Sequence, residues 1–169
     1  TRVSAAIAQI DSRLTLLSGT PKGYLKELGI LRDGVHYETV SRDLLLSRLS
    51  EADIVMLVHG FTGTMSKEEY STIFPTKTIE YLICGRPILA HTPPNSYLTR
   101  FLRRHQCALV VDTADEEAIL TAVRRLRDDA DLRASLVRNA LQTAKLFRAP
   151  VVAAGLRTIL EKNDRGLFQ

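Results

Sequence analysis

In the run IFPTKTIEYLICGRPILAH, residues 73 to 91, one carboxylate stands among apolar side chains, three residues after a lysine flanked by two threonines. A carboxylate accepts hydrogen bonds from hydroxyl groups. The start of a helix, with unpaired N–H groups and a positive dipole end, favours an anion. Thr76 reads as an N-cap, Lys77 to Cys84 as a short helix, Gly85 as its C-terminal cap, and Pro87 to His91 as the following strand. Glu80 therefore lies near the N-terminus of the helix, where the plainest reading is a carboxylate that complements the dipole.

Other residues compete for chemistry. His59-Gly60 ends an apolar strand, IVMLV, and looks like the oxyanion loop of an α/β-hydrolase, but no G-x-S-x-G is present to expose a serine to a base. The glycine after that histidine lets backbone approach a ligand. Gly19-Thr20-Pro21-Lys22-Gly23 is a glycine turn after a strand, yet it fits neither the dinucleotide fingerprint nor the P-loop. Asp129-Ala130-Asp131 has the D-x-D form of a metal-holding motif, but it sits between two helices, where Asp131 reads as an N-cap. Arg100, Arg103 and Arg104 read as the solvated face of an amphipathic helix. Cys84 and Cys107 lack metal spacing and read as reduced, buried thiols.

The elements that position these residues alternate. Strands at Leu14 to Leu17, Val35 to Thr39, Ile54 to Val58, Pro87 to His91 and Ala108 to Asp112 are separated by helices at Gly23 to Leu28, Arg42 to Leu49, Lys77 to Cys84 and Ser96 to His105. A first helix lies in residues 1 to 12, and helices at Glu116 to Arg127, Leu132 to Phe147 and Val151 to Lys162 follow the last strand. Such alternation predicts an α/β fold, a doubly wound, Rossmann-like parallel sheet covered on both faces. The chain opens on a helix where such a unit opens on a strand, which predicts a first strand upstream of Thr1. The link from Gly60 to Pro75 is about three times the usual loop length and marks a functional loop at a strand's carboxyl end.

The totals bound the function. A chain of 169 residues with 45% hydrophobic and 25% charged residues is a single domain with a sizeable core. The formal charge of +4 allows an anionic ligand, but no aromatic-studded basic stripe points to nucleic acid. No apolar run has membrane-spanning length, so the cytoplasm is the expected compartment, with peripheral membrane attachment left open.

Pro75-Thr76-Lys77-Thr78-Ile79-Glu80-Tyr81-Leu82 followed by Cys84-Gly85-Arg86-Pro87-Ile88-Leu89-Ala90 resembles the P-[ST]-K-x-x-E-Y-L-x-x-G-[KR]-P-[IV]-[IL]-A signature of glycosyltransferases. More closely, it is similar to the nucleotide-sugar-binding C-terminal half of two-domain enzymes with the B-type fold, the family-four and group-one transferases. Leu14 to Gly19, Val35 to Tyr37, Ser50 to Val55 and Asp115 to Ala144 continue the resemblance in order.

The resemblance implies a donor-binding domain over residues 1–169, with residues 150–163 a helix that crosses to the other half. It implies that Glu80 accepts hydrogen bonds from the ribose hydroxyls and that the helix start at Thr76, Lys77 and Thr78 faces the diphosphate. Gly19 and Thr20, and His59 and Gly60, would line the pocket. It implies a nucleotide-diphospho-sugar donor, an acceptor domain supplied by an N-terminal half, and no cofactor or metal. Alone, such a half would expose apolar surface on its last helix and self-associate. Thr72 stands where many relatives carry a second glutamate, with Glu68 and Glu69 nearby. That departure keeps a non-catalytic nucleotide-binding or interaction module as the alternative.

Overall fold

Runs of three or four residues, most of them apolar, become strands, and the segments between them become helices. The computed structural model of the chain describes residues 2–61 and 67–166. In chain order they form α1 (Arg2–Ile7), β1 (Leu14–Leu17), α2 (Lys22–Glu27), β2 (Val35–Glu38), α3 (Arg42–Ser50), β3 (Val55–Val58) and α4 (Lys67–Thr72). Then come α5 (Lys77–Ile83), β4 (Ile88–His91), α6 (Tyr97–His105), β5 (Leu109–Val111), α7 (Glu116–Asp128), α8 (Ala130–Ala144), a 3-10 turn (Lys145–Phe147) and α9 (Ala149–Gly166). The fold is of the doubly wound α/β type with every strand pair parallel.

The strands form two ladders, β1-β2 and β3-β4-β5. All four residues of β4 are buried, because this strand has neighbours on both sides and helices on both faces. One apolar layer joins Leu49 of α3, Leu82 of α5, Leu98 and Leu102 of α6 and Ala140 of α8 to Val55, Leu57, Ile88 and Ala90 of the strands. The other joins Val3, Ala6 and Ile7 of α1 and Ile119, Leu120, Val123 and Leu126 of α7 to Leu89 and Val111. Each fully buried leucine contributes about 1.5–3 kcal/mol relative to exposure. By contrast Val151, Val152, Leu156, Ile159 and Leu160 of α9 are exposed.

Several expectations are corrected. The long link after Gly60 contains α4, a polar, six-residue helix whose sequence has no apolar periodicity to reveal it. The helix expected over Leu132 to Phe147 starts at Ala130 and tightens into the 3-10 turn at Lys145. Its cap is Asp129, whose Oδ1 accepts from Leu132 N–H at 2.8 Å, while Asp131 sits in the first turn. The reason is geometric: Asp129 has extended backbone, as an N-cap must. We expect Asp129→Ala to cost about 1 kcal/mol, read as a lowered urea midpoint with an unchanged slope.

Thr76 likewise does not cap α5. Its backbone is already helical and its side chain makes no capping bond. Thr78 N–H donates to Pro75 O at 2.9 Å, so the turn begins at the proline, whose fixed φ suits a helix start. Gly85 does end α5 as expected, with φ +73, a conformation that only glycine adopts without strain.

Candidate functional site

In parallel open sheets, ligands bind beyond the carboxyl ends of the strands. An open cleft of about 1140 Å³ takes its lining from Asp11 and Ser12 ahead of β1, Asp53 and Ile54 ahead of β3, and Arg86 and Pro87 ahead of β4. The amino ends of β1, β3 and β4 thus share one side of the molecule. Their carboxyl ends, which carry Gly19-Thr20 and His59-Gly60, share the opposite side.

At the end of β3, His59 N–H donates to His91 O at 2.9 Å, extending the β3–β4 ladder by one bond. The His91 ring is buried, its Nε2–H donates to Thr113 O at 2.9 Å, and Phe61 lies against it with ring centroids 4.6 Å apart. Burial lowers the pKa of both imidazoles. The Lys77 charge lowers that of His59 further, while for His91 the Thr113 carbonyl opposes the shift and the Arg2 charge adds to it.

The field of Lys77 at the start of α5 thus reaches the imidazole at the end of β3. An unfolded imidazole titrates near pH 6.5. With both folded values lower, the unfolded chain binds more protons than the native one between the two. This contribution is complete above about pH 6.5 and is lost as pH falls through the folded pKa values. We expect urea midpoints to drop from pH 7 to pH 5, and the drop to shrink when His59 and His91 are both replaced by glutamine.

On α5, Thr76 and Lys77 are exposed, Thr78 is fully buried and Glu80 is half-buried. Leu82, from the same helix, anchors it in the core. The Glu80 carboxylate has no hydrogen-bond or ion-pair partner among the described residues, although it sits in the first turn of a helix fixed by packing. The Thr78 hydroxyl is buried with no hydrogen-bond partner among the described residues. Thr78 N–H is already bonded to Pro75, so Thr78 brings its hydroxyl to this region rather than its N–H.

The Gly19-Thr20 turn is held separately. Thr20 N–H donates to Ser18 Oγ at 3.1 Å, the Tyr37 hydroxyl lies 2.8 Å from Thr20 O, and Thr39 Oγ1 donates to Ser18 O at 3.2 Å. Tyr37 and Thr39, at the end of β2 and just beyond it, thus fix the turn; the sequence reading had missed them, and only strand pairing shows them. Gly19 has open space around it and no left-handed backbone, so the turn itself does not demand glycine. No hydrogen bond or ion pair joins this turn to α5 or β3 among the described residues, whereas the Lys77 charge on α5 reaches His59 at the end of β3.

The remaining polar candidates have structural partners. The Thr72 hydroxyl donates to the Glu68 carbonyl at 2.9 Å, within its own helix, and Glu68 and Glu69 are exposed in the first turn of α4. Arg103 pairs with Asp112 at 2.9 Å, and Arg100 donates to the carbonyls of Asn95 at 2.6 Å and Ser71 at 3.1 Å. Cys84 and Cys107 are buried and unpaired, and burial pushes the Cys107 thiol up to about 11.

No protein-family profile and no curated protein matches the sequence. Solved structures do match. Sucrose-phosphate synthase from Thermosynechococcus elongatus is 19% identical with a TM-score of 0.69, over 98% of this chain and 42% of that one. WaaG, a glycosyltransferase involved in lipopolysaccharide biosynthesis, is 17% identical with a TM-score of 0.61, over 88% and 39%. The trehalose-6-phosphate synthase OtsA is 13% identical with a TM-score of 0.59, over 99% and 39%. The chain spans about two fifths of the length of these solved structures. At such identities the likeness is one of fold, and that fold is the B-type glycosyltransferase fold in its C-terminal half.

Proposed function

We propose that this chain is the donor-binding half of a glycosyltransferase and holds a nucleoside-diphosphate sugar at the carboxyl ends of its strands. The observation that carries the reading is Glu80, a carboxylate without a partner among the described residues, held in the first turn of a core-anchored helix at that end of the sheet. Such a group accepts both hydroxyls of a ribose without having to break an existing bond. The Lys77 charge and the N–H groups of Thr76 and Lys77 face the diphosphate, and the buried Thr78 hydroxyl stands beside them. His59 and Gly60 form the wall from β3, and Gly19 and Thr20 approach from β1.

In the transfer step the bond between the sugar's anomeric carbon and the diphosphate oxygen breaks, and its electron pair stays on the diphosphate. The α5 N–H groups and Lys77 stabilise that growing negative charge. The oxygen of an acceptor hydroxyl, held by a second half, forms the new bond to that carbon and its proton passes to a base of that half, so this chain alone binds donor without turnover.

Calorimetric titration of residues 1–169 with uridine, guanosine and adenosine diphosphates and their glucose conjugates tests the reading. The expected result is binding near millimolar, about −4 kcal/mol, for one base over the others. Absence of heat with every nucleotide, for residues 1–169 and for the full-length protein alike, rejects it. The reading of a non-catalytic nucleotide-binding module is favoured by one observation, the Thr72 hydroxyl bonded within α4 where relatives carry a carboxylate. Sugar transfer by the full-length protein decides against that module, and nucleotide binding without transfer decides for it.

A further inference from the structure

Helix α8 carries two stripes where a surface helix ordinarily carries one. Leu136, Ala140 and Thr143 are buried against the core. Ala134, Val137, Arg138, Leu141 and Lys145 recur at helical spacing on another face and line the open cleft at the amino ends of the strands. The side of a helix turned away from its core is ordinarily polar. Here Val137 is half-buried and Leu141 is 43% exposed, with Arg138 one turn before the leucine and Lys145 one turn after it.

Positive charge gathers in the same cleft. Arg86, Arg127, Arg133, Arg138 and Lys145 line it, against the carboxylates of Asp11 and Asp53. The five cations and two carboxylates leave an excess of three positive charges on one side of a chain whose formal net charge is +4. Arg127 is paired with Asp128, Arg133 donates to the carbonyls of Leu126 and Arg127 at the end of α7, and Arg86 donates to Ser50 O. Arg138 and Lys145 are exposed and have no hydrogen-bond or ion-pair partner among the described residues.

Spacing selects the occupant. Arg138 and Lys145 are seven residues apart, two helical turns or about 10 Å along the axis. In an extended peptide about 10 Å is three residues, which puts successive carboxylates on opposite faces. In a helix laid along α8 it is again seven residues, which puts both carboxylates on one face and a residue between them over Leu141. A flat bilayer does not fill a concave cleft, and a free phosphate leaves the apolar residues between the cations in water.

We propose that the cleft is a docking groove for an acidic amphipathic helix of a partner protein, which lies along α8 with apolar side chains on Val137 and Leu141 and carboxylates on Arg138 and Lys145. The 15 residues of α8 offer it about 22 Å, or four turns. Exposed ion pairs add little affinity, so the apolar contacts hold the helix and the charges set its register and select its sign. The groove lies at the opposite end of the strands from Gly19-Thr20 and His59-Gly60, so docking there does not depend on what the carboxyl ends bind.

Fluorescence anisotropy of residues 1–169 with a labelled peptide, three repeats of Glu-Ala-Gln-Leu-Glu-Ala-Ala, tests it. The expected dissociation constant is on the order of 10–100 µM, with no binding when every glutamate of the peptide is glutamine. The double variant Arg138→Glu, Lys145→Glu is expected to bind the acidic peptide at least about tenfold more weakly and to take up a version with lysine at every glutamate, which the wild type does not bind. Leu141→Ser weakens the acidic peptide by about tenfold as well. All three side chains are exposed, and melting temperatures equal to wild type report that the variants have folded. Absence of binding to the acidic peptide overturns the proposal, as does equal binding by the charge-reversed chain. Equal binding of a peptide with the same residues, reordered to spread leucine and glutamate around the helix, overturns it too. Retention of the wild type but not the charge-reversed chain on phosphatidylserine vesicles, without peptide binding, overturns it in favour of a bilayer, and binding of tripolyphosphate without peptide binding does so in favour of a phosphate site.

Discussion

Replacing Glu80 with alanine is expected to weaken nucleoside-diphosphate binding by about 10- to 100-fold. Hydrogen bonds to a charged group contribute about 1.5–3 kcal/mol, and 1.4 kcal/mol is a factor of ten. Glu80→Gln, which keeps one acceptor and loses the charge, falls between wild type and alanine. The fold should not register the change, because the carboxylate has no partner among the described residues and loses only a dipole interaction of about 0.3–1 kcal/mol. A cycle with 2′-deoxy and 3′-deoxy nucleotides separates contact from indirect effects. Removing either hydroxyl weakens binding to the wild type and leaves the alanine variant unaffected if Glu80 holds the ribose. Equal losses in both proteins place the ribose elsewhere and remove Glu80 from the site.

Leu82→Ala is expected to produce the largest loss of stability, about 2–5 kcal/mol, because the side chain is fully buried on α5 and packs with Leu57, Ile88 and Leu98. For a chain of this size that lowers the melting temperature by roughly 4–20 °C. The vacated volume lies beneath the helix that carries Glu80, so nucleotide affinity should fall with stability, unlike in the Glu80 variants. Leu156→Ala on α9, where the leucine is 56% exposed, serves as the control and should change stability by no more than about 0.5 kcal/mol. Thermal and urea unfolding of the three proteins, measured beside nucleotide titration, distinguishes a residue that binds from one that positions.

Legibility followed burial. Strands such as ILAH at residues 88–91 were readable because a strand covered on both faces has to be apolar throughout, and the helices between them carried caps or a one-sided apolar stripe. Helix α4 was not readable, since KEEYST is held by nothing its own sequence displays. The cap of α8 was misassigned by two residues because Asp129 and Asp131 are chemically identical, and only backbone dihedrals choose between them. Glu80 was legible as a candidate from its placement and the surrounding motif. Its lack of a partner was not, because that depends on which side chains other elements bring near it.

By itself, the sequence determined the alternation of strands and helices, the apolar identity of the core and the position of Glu80 one turn into a helix, since these follow from local periodicity and residue chemistry. Only the tertiary structure decided that the five strands of the described residues divide between two ladders, that Tyr37 and Thr39 secure the Gly19-Thr20 turn, and that the field of Lys77 reaches His59. Strand order, the pairing of backbone groups and the field between charges depend on residues distant in the chain, and local sequence does not specify their distances.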